Sequence, residues 1–159
     1  IVAYMMPPLV PAGLRALKDA GATRFMGSLE IWDPDLYSTI CPGKANYGRK
    51  HFIDMLIQAT EVFGRGNVWC NFVCGLEPFA TQLEGYDQLG REGIVAGANV
   101  FHKDPLIRVT AVDEFTFENV RSYYLTAAEL LHRHNLSPFY GLESRRSSLL
   151  WEAYLGYLG

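Results

Sequence analysis

Three stretches of this chain close an apolar run with residues able to do chemistry. They are Gly27-Ser28-Leu29-Glu30, Asn71-Phe72-Val73-Cys74-Gly75-Leu76-Glu77 and Asn99-Val100-Phe101-His102-Lys103-Asp104-Pro105. Between them they offer carboxylates, carboxamides, an imidazole and an ammonium group, enough for ligand positioning and for acid–base work. Glu30 stands among Leu29, Ile31 and Trp32, where an unpaired carboxylate is costly to bury. It reads either as a structural hydrogen-bond acceptor or as a ligand contact. Arg49 opens a helical pattern, against the helix dipole, and so calls for an anion, which a surface carboxylate or a ligand would supply equally well. His102 reads as a proton donor or substrate contact, or as a stabiliser of its own loop.

Metal ligation finds little support in the spacing. Cys70 and Cys74 stand four apart, but Glu77 occupies the place of a third thiolate, and a strand cannot wrap a cluster. Cys41, Cys70 and Cys74 read as small buried thiols. His132 and His134 lie two apart on a helix and face different ways. No metal ligand is assigned to this chain.

The elements that must hold these residues alternate strand and helix. Ile1–Met6 reads as a strand, then Val10–Ala20 as a helix stopped by Gly21. Thr23–Trp32 is the second strand, and 33–48, with Pro34, Pro42 and Gly43, reads as a long functional loop. Arg49–Phe63 is the clearest helix, with Phe52, Leu56, Ala59 and Phe63 at helical spacing. Asn67–Gly75 is the third strand, and a helix entered at Pro78 stops at Gly93. Ile94–Phe101 is the fourth strand. Thr116 caps a helix over Phe117–His134 with an inner face of Phe117, Val120, Tyr124, Ala127 and Leu131. A turn around Pro138 and Gly141 leads to a tail helix, Ser147–Leu158. Alternation of this kind predicts an α/β fold with parallel pairing. Functional groups at strand ends point to a (β/α) barrel, whose sites are built there. Such a barrel takes about 250 residues, so four strands predict either an incomplete, partial TIM-type barrel whose edges another segment covers, which the start at Ile1 favours, or an open doubly wound sheet, in a single domain over residues 1–159.

Composition narrows the classes. The chain has 159 residues, 49% hydrophobic, with a formal net charge of −3. That balance gives no electrostatic reason to expect nucleic acid. No apolar run approaches the roughly 18 residues of a membrane span. The start lacks a basic region and is broken by Pro7-Pro8, unlike a signal peptide. Three cysteines without export signals suggest a reducing cytoplasm. The opening at Ile1, already within a strand pattern, suggests truncation or processing upstream.

Taken as a series, these segments resemble the C-terminal half of the barrel of the radical S-adenosylmethionine (radical SAM) superfamily, closest to members like biotin synthase. The likeness is carried by Leu17-Lys18-Asp19-Ala20-Gly21-Ala22, Gly27-Ser28-Leu29-Glu30 with Leu36-Tyr37, Cys41-Pro42-Gly43-Lys44, Tyr47-Gly48-Arg49, Asn71 through Pro78, and Val100-Phe101-His102. The resemblance implies S-adenosylmethionine and a 4Fe–4S cluster as cofactors, with the cluster ligands upstream, because no Cys-x3-Cys-x2-Cys occurs here. By resemblance, Glu30 meets the ribose or amino group and Arg49 the carboxylate, with Lys44 as the second choice. Asn71, Val73 and Gly75 line the adenine side, although Asn71 stands where glycine is common and Glu77 is offset by one. Val100 and Phe101 resemble the segment that contacts adenine, largely through backbone, and His102 beside them is the candidate substrate contact. The substrate class is a small molecule or peptide, and a flavodoxin or ferredoxin is the implied electron donor. Two other readings stand beside this one. An aldolase-like barrel enzyme would use Glu30, His102 and Lys103 as acid–base groups, and a non-catalytic half-barrel would assemble through its open edges.

Overall fold

Apolar runs rich in aromatic and β-branched residues form four strands: β1 (Val2–Tyr4), β2 (Arg24–Glu30), β3 (Val68–Cys74) and β4 (Ile94–Val100). They make one sheet in the order β1-β2-β3-β4, and every neighbouring pair is parallel. The structure, a computed structural model, describes residues 1–110, 116–138 and 148–159. The fold is α/β, with helices α1 (Pro11–Asp19), α2 (Pro34–Ile40), α3 (Pro42–Tyr47), α4 (Arg49–Phe63), α5 (Phe79–Arg91), α6 (Phe117–Arg133) and α7 (Leu150–Tyr154). Among the described residues β1 and β4 each have a single strand neighbour, so the sheet is open at both edges. No helix is long and apolar enough to cross a membrane, again among the described residues.

Side-chain alternation sorts the sheet into two faces. Phe25 stacks on Phe63 of α4 and Phe72 on Tyr86 of α5, with ring centroids 6.1 and 5.8 Å apart. Phe25, Leu29, Cys70, Phe72 and Ala96 therefore face the helices, and all five are fully buried. Burying each of the two phenylalanines contributes about 1.5–3 kcal/mol. The opposite face presents Tyr4, Met26, Ser28, Trp69, Asn71 and Gly97, brought level by the strand register. Trp69 lies against Gly97 of β4, where a Cβ would sit 2.0 Å from its ring. Only glycine permits that approach.

The end opposite the polar strand ends is closed by one arginine. Arg65, in the connection from α4 to β3, donates to the carbonyls of Gly90, Arg91 and His134 at 2.9–3.1 Å. These are acceptors that the ends of α5 and α6 leave without helical partners. Beside it, His134 Nε2 lies 2.8 Å from Asp87 Oδ1, and Arg91 and Arg133 reach the same carboxylate. The two histidines expected to diverge do so, because His132 stacks instead on Tyr154 at 4.1 Å.

Three expectations from sequence need correction. The stretch 33–48 is two short helices rather than a loop. Asp33 caps α2 by accepting from Asp35 and Leu36 N–H, and Pro34 and Pro42 each occupy the first helical position. The prolines that suggested a loop are helix starters here. Phe117 is 72% exposed, outside the buried stripe of Val120, Tyr124, Ala127 and Leu131, although Thr116 does cap α6. The tail helix is confined to Leu150–Tyr154; Ser147 and the turn residue Gly141 lie outside the described residues.

The hydrogen bond from His134, reinforced by Arg91, holds the Asp87 carboxyl below its ordinary value of 3.8. A lowered carboxylate pKa gives stability that is present above 3.8 and lost as pH falls through the lowered native value. The melting-temperature gap between wild type and Asp87→Asn is therefore expected to be widest near neutrality and to close below pH 3.8. A gap independent of pH would show that the carboxylate's charge is not what ties α5 to α6.

Candidate functional site

Glu30 ends β2 in a conformation rare for a residue with a Cβ, with φ of +73°. The pairing with β3 shifts register between Ser28 and Glu30, so the strand breaks step as the carboxylate emerges. Strain of this kind at a strand terminus costs about 1–3 kcal/mol and persists where the surroundings enforce it. The enforcing groups are identifiable. Lys44 of α3 donates from Nζ to Glu30 Oε1 and to the Ser28 carbonyl, both at 2.6 Å. Only Oε1 is taken by the lysine, and the pair keeps about a quarter of its side-chain surface exposed. Oε2 is left to accept from a ligand.

The pair sits on a polar shelf. Ser28 Oγ is 2.8 Å from the Tyr4 hydroxyl on β1. Asn71, 4% exposed, lies level with Ser28 in the register. Val73 follows on the same face, level with Asn99 of β4. Gly75, with φ of +101°, turns the chain away at the end of β3. The α2–α3 excursion closes the shelf on one side, because Tyr47 donates to the carbonyls of Pro7 and Pro8 after β1 at 2.9 and 3.0 Å.

The other residues singled out from sequence are placed differently. Arg49 donates to the Trp32 carbonyl and covers the Trp32 ring at 4.7 Å. Its guanidinium is half-buried, and burial lowers its pKa against the opposing pull of Glu77. Lys44, rather than Arg49, is the basic group joined to Glu30. Val100 lies level with Cys74, on the helix-facing side, and Phe101 N–H donates to the Cys74 carbonyl at 3.0 Å. His102 is four-fifths exposed and lies 3.4 Å from Asp104.

Sequence reasoning gave Glu77 no role, weighing it in the place of a third thiolate and as offset by one in the resemblance. It is fully buried. Its Oε1 accepts from Trp32 N–H at 2.7 Å and from Gln82 Nε2 at 2.8 Å, and its Oε2 accepts from Asp33 N–H at 2.7 Å. Burial pushes its pKa up, and these three donors act against that shift. A buried acid two residues after a turn glycine was the available signal.

The thiols do not form a cluster site. Cys41 lies between α2 and α3, and Cys70 and Cys74 are buried against the helices. Four residues of strand separate the latter two by about 13 Å, and burial lifts the Cys70 thiol to about 12. Among the described residues no three His, Cys, Asp or Glu side chains gather as a metal site. A 4Fe–4S cluster does not fit the residues present. For a nucleoside with an amino-acid tail, the shelf offers a carboxylate with one free oxygen, an ammonium group and a glycine turn.

No family model matches the chain, and no solved structure does. Among proteins of known function it is similar to bacteriochlorophyllide c C-7(1)-hydroxylase of Chlorobaculum limnaeum, with 29% identity over 116 residues. The match covers 66% of this chain and 29% of that enzyme, so the chain spans less than a third of it.

Glu30 and Lys44 form a partly buried pair with shared support, so their substitutions are expected to be non-additive. A double-mutant cycle of Glu30→Gln and Lys44→Met in urea denaturation should give a coupling of about 1 kcal/mol. Additive effects would show that the two side chains are held independently.

Proposed function

We propose that this chain is the cofactor-positioning portion of a radical SAM enzyme, built as part of a (β/α) barrel. The observation that carries the reading is Glu30, held in a positive-φ conformation at a parallel strand end with one carboxylate oxygen uncommitted. S-adenosylmethionine, cleaved reductively, supplies a 5′-deoxyadenosyl radical that removes hydrogen from carbon. The relative is named as a hydroxylase, and hydroxylation of carbon likewise begins at a C–H bond. The likeness to it supports enzymatic C–H chemistry for the protein to which this chain belongs. The cluster is proposed to be held by residues outside this chain.

In this reading Glu30 Oε2 accepts from the ribose hydroxyls or the amino group. Lys44 holds Glu30 in place through Oε1. It also offers positive charge to the cofactor's carboxylate, the role the resemblance gave first to Arg49. Asn71, Val73 and the Gly75 turn border the adenine, where a glycine lets the backbone approach a planar ring. Phe101, with Val100 through its backbone since its side chain faces the helices, borders the β4 side, and His102, exposed at the rim, is the proposed substrate contact. The substrate remains a small molecule or peptide, and the electron donor a flavodoxin or ferredoxin type, both proposals from the same resemblance. The open edge at β1 fits a sheet continued by further strands, since an unpaired edge in a parallel sheet is otherwise a liability.

Calorimetric titration of S-adenosylmethionine into the chain tests the reading. Binding is expected, and Glu30→Ala should weaken it at least tenfold, about 1.4 kcal/mol. Absence of binding, or equal affinity in the variant, would remove the cofactor assignment. Anaerobic reconstitution with iron and sulfide should leave the chain without a cluster. Four irons per chain would show that ligands within it had been overlooked.

A further inference from the structure

We infer that Glu77 is a positioning residue for the Glu30–Lys44 site, set in turn by Tyr123 of α6. The inference rests on the reading of that site as the cofactor shelf. After Glu30 the β2 chain leaves the sheet, and its next ladder donors would be orphaned in a buried position. Glu77 takes two of them, the N–H groups of Trp32 and Asp33, one on each carboxylate oxygen. The carboxylate thereby replaces the strand that β2 has just left. Trp32 is pinned on its remaining sides by Arg49, which holds its carbonyl and covers its ring, and by Phe72, which meets that ring edge-on at 6.3 Å. Glu30 is two residues upstream of this clasp, and Asp33, inside it, caps the helix that leads to Lys44. Both members of the pair are thus referred to one buried carboxylate.

The carboxylate has its own support. Gln82 donates from Nε2 to Glu77 Oε1 at 2.8 Å and to the Val73 carbonyl at 3.1 Å. Its Oε1 accepts from the Tyr123 hydroxyl at 2.6 Å. Gln82 and Glu77 are fully buried, and Tyr123 is 2% exposed. A line of charge-assisted and neutral hydrogen bonds therefore runs from α6 through α5 to the end of β2, in surroundings where each bond is strengthened and any gap is costly. A displacement of α6 moves Tyr123, and the register of Glu30 follows.

Glu77→Gln separates positioning from mere stability. The variant keeps the shape, but its amide group must set an N–H against one of the two backbone donors. In the folded variant, hydrogen exchange at the Trp32 and Asp33 amides should quicken at least tenfold, the 13Cδ resonance of Glu30 should shift, and affinity for S-adenosylmethionine should fall about tenfold. A lower melting temperature with Glu30 and the two amides unmoved would overturn the inference. If the wild type binds no S-adenosylmethionine while the Glu30 resonance still responds, the cofactor reading falls and the positioning role stands. Should Glu77→Gln not fold, Tyr123→Phe removes only the outermost support and must shift the same Glu30 resonance by a smaller amount. No shift there would overturn the inference as well.

Discussion

A carboxylate with no solvent exposure is the constraint around which the upper end of this molecule is organised. Burial pushes the Glu77 pKa up, and three N–H donors stand in for the water it has lost and act against that shift. The three donors come from two different elements, the segment after β2 and helix α5. Satisfying the charge therefore fixes the path of the chain. The exit of β2, the cap of α2 and the seat of Trp32 follow from it, and the Glu30–Lys44 pair lies within the region so fixed.

The two ends of the sheet divide the work. At one end Arg65 collects helix C-terminal carbonyls and Asp87 joins α5 to α6, so the groups there are consumed by one another. At the other, Glu30 keeps an oxygen uncommitted and adopts a backbone conformation that local energetics oppose. Polar groups at the first end stabilise; strain and unfilled bonding capacity gather at the second. The same asymmetry separates stability from chemistry in parallel α/β folds generally.

Much of the fold was legible from periodicity. The four strands and the helices α1, α4, α5 and α6 follow from apolar spacing and from glycine stops, each within a residue or two. The error over 33–48 came from reading proline as a breaker, when Asp33-Pro34 is a cap followed by a first-turn proline. Phe117 was misplaced because periodicity fixes a helical face but not how far along the helix the core extends. For the site, Glu30 was visible as a carboxylate at an apolar strand end, and Lys44 as a second choice. Its pairing with Lys44 depends on where α3 folds back, which no local pattern encodes. Glu77 was hidden for a similar reason, since its two backbone donors lie 44 and 45 residues away.

The sequential strand order has a consequence for how the molecule is made. Each strand pairs with the one before it, so a chain emerging from the ribosome meets its sheet partner already formed. The clasp on Trp32 and Asp33 does not obey that order. It needs Glu77, which is translated after α2, α3 and α4 have passed, and Tyr123 later still. The β2 exit therefore lacks this partner until synthesis has moved more than forty residues on. The clasp and its support are complete only once α6, which carries Tyr123, has been made.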